Sequence, residues 1–257
     1  MESFVKEDVK MRIFSLFSFI FTLAFVLAFP HANTCAQEDP FVNGSFETGD
    51  FTGWTVINEP DSNGDWFVYS GTTTPLSSNS ILRPPVGEFA AVTDQGGPGS
   101  HILFQDILVP VDGEATCSLI IYYNNLAGTF INNSDLSFSG GANQQARIDI
   151  LSTDADIFTV SAGVLLNIYQ TFPGDPASLG YTTLDFDLSQ FAGETVRFRA
   201  AEVDTIGNFN FAIDDVRCGP PVARTIPTLG EWGMIAMAGV LGLAGLIYAR
   251  RRRILTA

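Results

Sequence analysis

The run GGPGSH sets Ser100 directly before His101, the serine–histidine pair that a search for hydrolytic chemistry meets first. Neighbours in sequence rarely act as nucleophile and base, and no strand–turn–helix signature of an exposed nucleophile surrounds them. The sequence has no histidine or cysteine cluster with zinc spacing and no glycine pattern for phosphate or dinucleotide binding. Carboxylate pairs abound, so a glycosidase-like dyad has no distinctive signal. These readings point to a protein that is not an enzyme. Sugar binding asks for an aromatic ring beside polar groups. Trp66 and Tyr69 in NGDWFVYS are the glycan-binding candidates, with Asp65 next to Trp66 as a polar contact or a metal oxygen; Trp54 reads as core. Cys117 and Cys218 are an even pair, read either as a disulfide or as two buried thiols. A disulfide closing so long a loop contributes about 4–5 kcal/mol in the chain-entropy model.

The elements that must position these side chains read as strands. In TTLDFDL, Leu184, Phe186 and Leu188 alternate with Asp185 and Asp187; in TVRFRA, Val196, Phe198 and Ala200 alternate with Arg197 and Arg199. Side chains on a strand point to opposite faces in turn, so each run predicts one buried and one wet face. SQFAGE, residues 189–194, joins the two. Further strands are expected at Ala90–Thr93, Ile102–Val109, Thr116–Tyr123, Ala146–Leu151, Ile157–Ser161 and Phe209–Cys218. Short strands between Gly, Pro, Asn and Asp clusters, with no amphipathic helix, predict an all-β antiparallel sandwich. The stretches 58–87 and 124–145 are expected to be long loops, functional or mobile.

From Gln37 to Ala223, five arginines and no lysine face 24 acids, a net charge of −19. Such a surface repels phosphate backbones and excludes nucleic acid as a partner. It suits a soluble extracellular body and is compatible with cation binding.

Two stretches together, NGSFETGDFTGW (Asn43–Trp54) and FAIDDVRC (Phe211–Cys218), resemble galactose-binding-like jelly rolls, including carbohydrate-binding modules. NQQARIDIL and DLSQFAGETVRFR fit the same family. The resemblance implies a jelly roll at residues 37–221, a polysaccharide partner, and a structural calcium shared by the first and last strands. Glu47 and Asp214 match the calcium ligands, with Asp215 as the substitute, because alternation puts only one of the two aspartates on a given face. Carboxylates and turn carbonyls supply the six to eight oxygens calcium takes.

The two ends read as addresses. Residues 1–36 have the charged, apolar, small-residue order of a secretory signal, with Met11 as an alternative start and an uncleaved anchor as the alternative reading. Residues 222–225 form a linker. Then IPTLGEWG, an uncharged stretch from Trp232 to Ala249, and Arg250–Arg253 follow in order. Eighteen residues at 1.5 Å each make about 27 Å, enough for a transmembrane helix at 232–249 with its basic end in the cytoplasm. Residues 226–253 resemble the IPTL-CTERM sorting signal, a relative of PEP-CTERM signals, through Ile226, Pro227, Thr228, Leu229, Trp232 and Gly233. The resemblance implies an exosortase-type membrane protease as partner. It also implies insertion of the precursor in the inner membrane and delivery to the cell surface or extracellular matrix. The expected function is therefore a non-enzymatic surface or matrix protein. The alternatives are a displayed carbohydrate-binding module and an exported hydrolase.

Overall fold

Alternating apolar residues on successive strands close two sheets over one core. The computed structural model describes residues 39–111 and 115–219. The strands are β1 (Thr55–Asn58), β2 (Asp65–Tyr69), β3 (Ala90–Asp94), β4 (Gly99–Leu108), β5 (Thr116–Asn125), β6 (Gln145–Leu151), β7 (Val164–Gln170), β8 (Ser178–Asp187), β9 (Thr195–Asp204) and β10 (Phe209–Cys218). One 3-10 turn, Ser189–Phe191, lies in the connector between β8 and β9. The expected secretory segment, the expected linker, the sorting motif and the expected transmembrane stretch 232–249 fall outside the described residues. Among the described residues, no helix is long and apolar enough to cross a membrane.

The pairing explains the topology. Strands β3 to β6 run antiparallel to β10, β9, β8 and β7 in turn, as one long two-stranded ribbon. Rolling that ribbon brings β9 beside β6 and β10 beside β5. The sheets become β1-β4-β9-β6-β7 and β2-β3-β10-β5-β8, the order of a jelly roll with one strand added to each sheet. Full antiparallel pairing satisfies the backbone, and the facing sheets bury their inner side chains.

The core runs between the sheets through Leu103 and Ile107 of β4, Leu119 and Ile121 of β5, Ile148 and Ile150 of β6, Phe198 of β9, and Phe209, Phe211 and Ile213 of β10. The opening segment plugs one end. Phe41 and Trp54 both set ring edges against Phe198, at centroid distances of 5.3 and 5.8 Å. Cys117 and Cys218, register partners on β5 and β10, are joined in a disulfide.

Three departures from the sequence reading have physical causes. Residues 157–161 form no strand; they lie across the outer face of the first sheet, where Ile157, Phe158 and Val160 pack on Ile102, Ala201 and Val203. That cover buries Arg199, expected on a wet face, to zero exposure. The two long stretches are tied down. Asp94 accepts the N–H groups of Leu76 and Ser77 at 2.6 and 2.8 Å, and Glu59 accepts that of Phe138 at 2.7 Å. The first stretch also contains β2.

Candidate functional site

The opening turn and the last strand meet as their sequences suggest they should. Val216 donates its N–H to the Gly44 carbonyl at 2.9 Å across a bulge in β10. A Cβ on Gly44 would collide with the Val216 carbonyl, so only glycine permits this approach. The docking carries Glu47 toward residues 86–89. Its Oε1 accepts the N–H groups of Glu88 and Phe89 at 2.9 and 3.0 Å. Asp214 grips the same segment from the other chain end, accepting the Val86 N–H at 3.3 Å through Oδ2 and the Asp215 N–H at 2.7 Å through Oδ1. Asp214 is fully buried, and its carboxyl is pushed up to about 8 by that burial, with the charges of Asp215 and Glu47 adding to the effect. Asp215 turns away: it sits at φ 49° and pairs with Arg217 at 3.0 Å. Glu47 and Asp214 therefore hold one loop between them, while Asp215 is engaged elsewhere. A cavity of about 380 Å³ adjoins Glu47 and is lined also by Asp39, Val86, Asp215 and Arg217; Asp214 does not line it. Two carboxylates beside turn carbonyls fit the donor set of a calcium ion.

The aromatic candidates are corrected. Trp66 is 2% exposed, edge-on to Phe211 with centroids 6.1 Å apart. Tyr69 is 3% exposed; its hydroxyl lies 2.6 Å from that of Tyr181 and donates to the Leu82 carbonyl at 2.9 Å. Neither ring is free to stack on a sugar. The strand β2 that carries them pairs with β3 and is roofed, and DWFVY has no local mark of that burial. A separate cleft of about 530 Å³ opens between β7 and β8. Leu166, Asn167, Ile168, Asp185, Phe186, Asp187 and Gln190 line it.

Ser100 and His101 do not face each other. Ser100 Oγ donates to the Leu136 carbonyl at 2.6 Å, on the opposite face of β4 from the His101 ring. His101 Nδ1 lies 2.9 Å from Asn58 Oδ1. The arrangement excludes this pair as nucleophile and base.

His101 instead belongs to a group that no spacing in the sequence announces. In the β4–β9 register His101 stands opposite Glu202 and Gly99 opposite Asp204. Glu202 and Asp204 share the inner face of β9 with Phe198 and Ala200. Ligand atoms of His101, Glu202 and Asp204 lie within 4.8 Å of one another, and all three residues are buried. Among the described residues this is the trio of His, Cys, Asp or Glu side chains that converges so closely; Glu47, Asp214 and Asp215 do not. Burial, with Asp204 adjacent, raises the Glu202 carboxyl well above the carboxylate range. Burial likewise pushes Asp204 up to about 7 and His101 down to about 4. Only long-range strand pairing brings residues 101 and 202 together.

Comparison with known proteins places the clearest functional signal outside the sandwich. Residues 225–253 match the IPTL-CTERM motif. No curated protein matches the chain. Three solved structures are similar in shape. The K3 cleaved adhesin domain of Lys-gingipain from Porphyromonas gingivalis W83 is 15% identical, covering 71% of this chain and 99% of its own, with a TM-score of 0.43. TmCBM61, solved in complex with β-1,4-galactotriose, is 13% identical over 72% of this chain and all of its own, with a TM-score of 0.42. The Stig cyclase Fisc from Fischerella sp. TAU is 16% identical over 71% of this chain and 97% of its own, with a TM-score of 0.39. Likenesses of this degree set no ligand for the chain. The protein carries a sorting motif behind an all-β sandwich.

Proposed function

We propose that the protein is exported, inserted in the inner membrane as a precursor, and sorted to the cell surface or extracellular matrix, where its sandwich acts without catalysis. The match of residues 225–253 to the IPTL-CTERM motif carries this reading. Its parts follow from elementary physics. Pro227 disfavours helix upstream of itself and favours an extended segment before it, accessible to a protease. The uncharged residues from Trp232 to Ala249 suit a hydrocarbon core, and Arg250–Arg253 hold the end inside. The partner is an exosortase-type membrane protease, which cuts near the motif. The separation of Ser100 from the His101 ring removes only the serine–histidine route to hydrolysis.

A calcium ion held by Glu47 and Asp214, with carbonyls of the opening turn, belongs to the same reading. It would neutralise a buried carboxylate and tie the two chain ends together. Calcium should raise the melting temperature of the wild type but not of Glu47→Gln; a wild-type midpoint indifferent to calcium and chelator ends this part of the reading.

The test of sorting uses cells carrying the full chain or its Leu229→Arg variant. Wild-type body should be cleaved by protease added outside intact cells, while Leu229→Arg body stays with the inner membrane. Equal surface exposure of both would overturn the reading. The β7–β8 cleft favours a second reading, a displayed carbohydrate-binding module, because Asp185, Asp187 and Gln190 offer hydrogen bonds beside apolar Leu166 and Ile168. Glycan-array binding lost in Gln190→Ala would support it; no signal from folded, calcium-loaded protein would end it.

A further inference from the structure

Strand β9 ends in two enclosed carboxylates: Glu202 has no hydrogen-bond partner, while Asp204 draws on the Gln95 side chain and the Gly99 backbone and keeps one oxygen unserved. Both oxygens of Glu202, Oδ1 of Asp204 and Nε2 of His101 are buried and have no hydrogen-bond partner. Neither carboxylate has a guanidinium. The ion pairs among the described residues are Arg147–Asp149, Arg197–Asp106, Arg199–Asp149 and Arg217–Asp215. Buried polar groups are as a rule satisfied, and buried charges are paired or bind metal.

The surroundings of His101 select among ways of satisfying them. Nδ1 faces Asn58 Oδ1 at 2.9 Å, and Asn58 in turn donates through Nδ2 to Asp65 Oδ1 at 3.0 Å. That chain makes Nδ1 the protonated nitrogen and leaves a lone pair on Nε2, which is buried and has no hydrogen-bond partner. A histidine oriented by a hydrogen bond at its other nitrogen is the arrangement found around bound metals. Gly99 leaves room there: a Cβ at that position would come within 2.5 Å of Nε2. Gln95, fully buried on the segment after β3, adds an Oε1 with no partner. A single water would donate to two of these acceptors and neutralise none of the charge. A divalent cation would accept lone pairs from all three residues and offset both carboxylates.

We propose that His101, Glu202 and Asp204 form an internal site for a divalent cation that takes imidazole as well as carboxylate, of the zinc or manganese kind, which locks β4 to β9. The imidazole nitrogen separates this preference from calcium, which takes oxygen. The role is structural, because the site is enclosed by the sandwich: the three side chains supply three of the four ligands zinc takes, and the unpartnered Oε1 of Gln95, whose side chain contacts Asp204, is the fourth donor at hand. With Glu202 fully covered, the ion enters as the sheets close, so refolding is the step at which to supply it.

The experiment unfolds the full chain in detergent with chelator, then refolds it with zinc chloride, manganese chloride, calcium chloride or chelator alone. Metal retained after gel filtration is measured by mass spectrometry, and folding by circular dichroism. Wild type should keep about one zinc or manganese per chain. Glu202→Gln and His101→Phe, which nearly preserve volume, should keep less than about a tenth of it while folding in chelator, and Glu47→Gln should keep it all. Asn58→Ala, which frees the histidine, should weaken zinc binding about 10- to 100-fold. Retention of no zinc or manganese by folded wild type, or equal retention by folded Glu202→Gln and His101→Phe, overturns the proposal. Retention of calcium alone, abolished by Glu47→Gln, also overturns it and assigns the ion to the chain ends.

Discussion

Strand β9 buries charge on both faces of its sheet, and the two faces handle it differently. On the outer face, Arg199 meets Asp149 at 2.5 Å and donates to the carbonyls of Ile157 and Thr159 at 2.6 and 2.8 Å. Arg147 and Asn167 complete the shell of Asp149 at 2.9 and 2.7 Å. On the inner face, a few residues further along, Glu202 and Asp204 have no cation; Glu202 has no donor, and Asp204 keeps one oxygen without one. Burial is equal on the two sides; compensation is not. A buried carboxylate with its arginine is a finished structural element. One without must take up a proton or an ion, and so becomes a candidate site. The same contrast sets the chain-end pair between these extremes, since backbone N–H groups already serve Glu47 and Asp214.

Asp149→Asn strands two buried guanidiniums and should lower stability by about 3–5 kcal/mol in urea unfolding. A cost below about 1 kcal/mol would mean that the outer network is already hydrated. In chelator, Glu202→Gln should act in the opposite direction and stabilise by about 1 kcal/mol, since it removes the cost of protonating an unpartnered carboxylate as it is buried. A loss there would show that the inner carboxylate already has a compensating partner in the metal-free protein. Glu47→Gln in chelator should change stability by less than about 1 kcal/mol, because its acceptor oxygen is exposed and survives in the amide. A larger loss would place the chain-end pair with the outer network.

The inner face of the sandwich was legible locally. Phe186 with Leu188, and Val196 with Phe198 and Ala200, alternate as a half-buried strand should, and β10 spans Phe209–Cys218 as read. What failed was non-local. Arg199 alternates like a surface residue, and only the roof laid by residues 157–160, about 40 positions away in the chain, buries it. Those roofing residues look like a strand because they too present apolar side chains in series. Trp66 and Tyr69 look free because β2 is short and surrounded by turn-forming residues. His101 and Glu202 become neighbours only through register, for which neither segment carries a signal. The pairing of Glu47 with Asp214 was suggested by resemblance alone; what is visible is that both hold the segment 86–89.

We propose delivery and release of this acidic sandwich through its C-terminal motif. The direct test is the intact mass of the protein recovered from its host, wild type beside Leu229→Arg. Sorting predicts a wild-type mass lacking both the secretory segment and everything beyond the IPTLGEWG region, with the variant retaining its tail. A wild-type mass that still includes Arg250–Arg253 would contradict the account and leave a plain membrane anchor in its place.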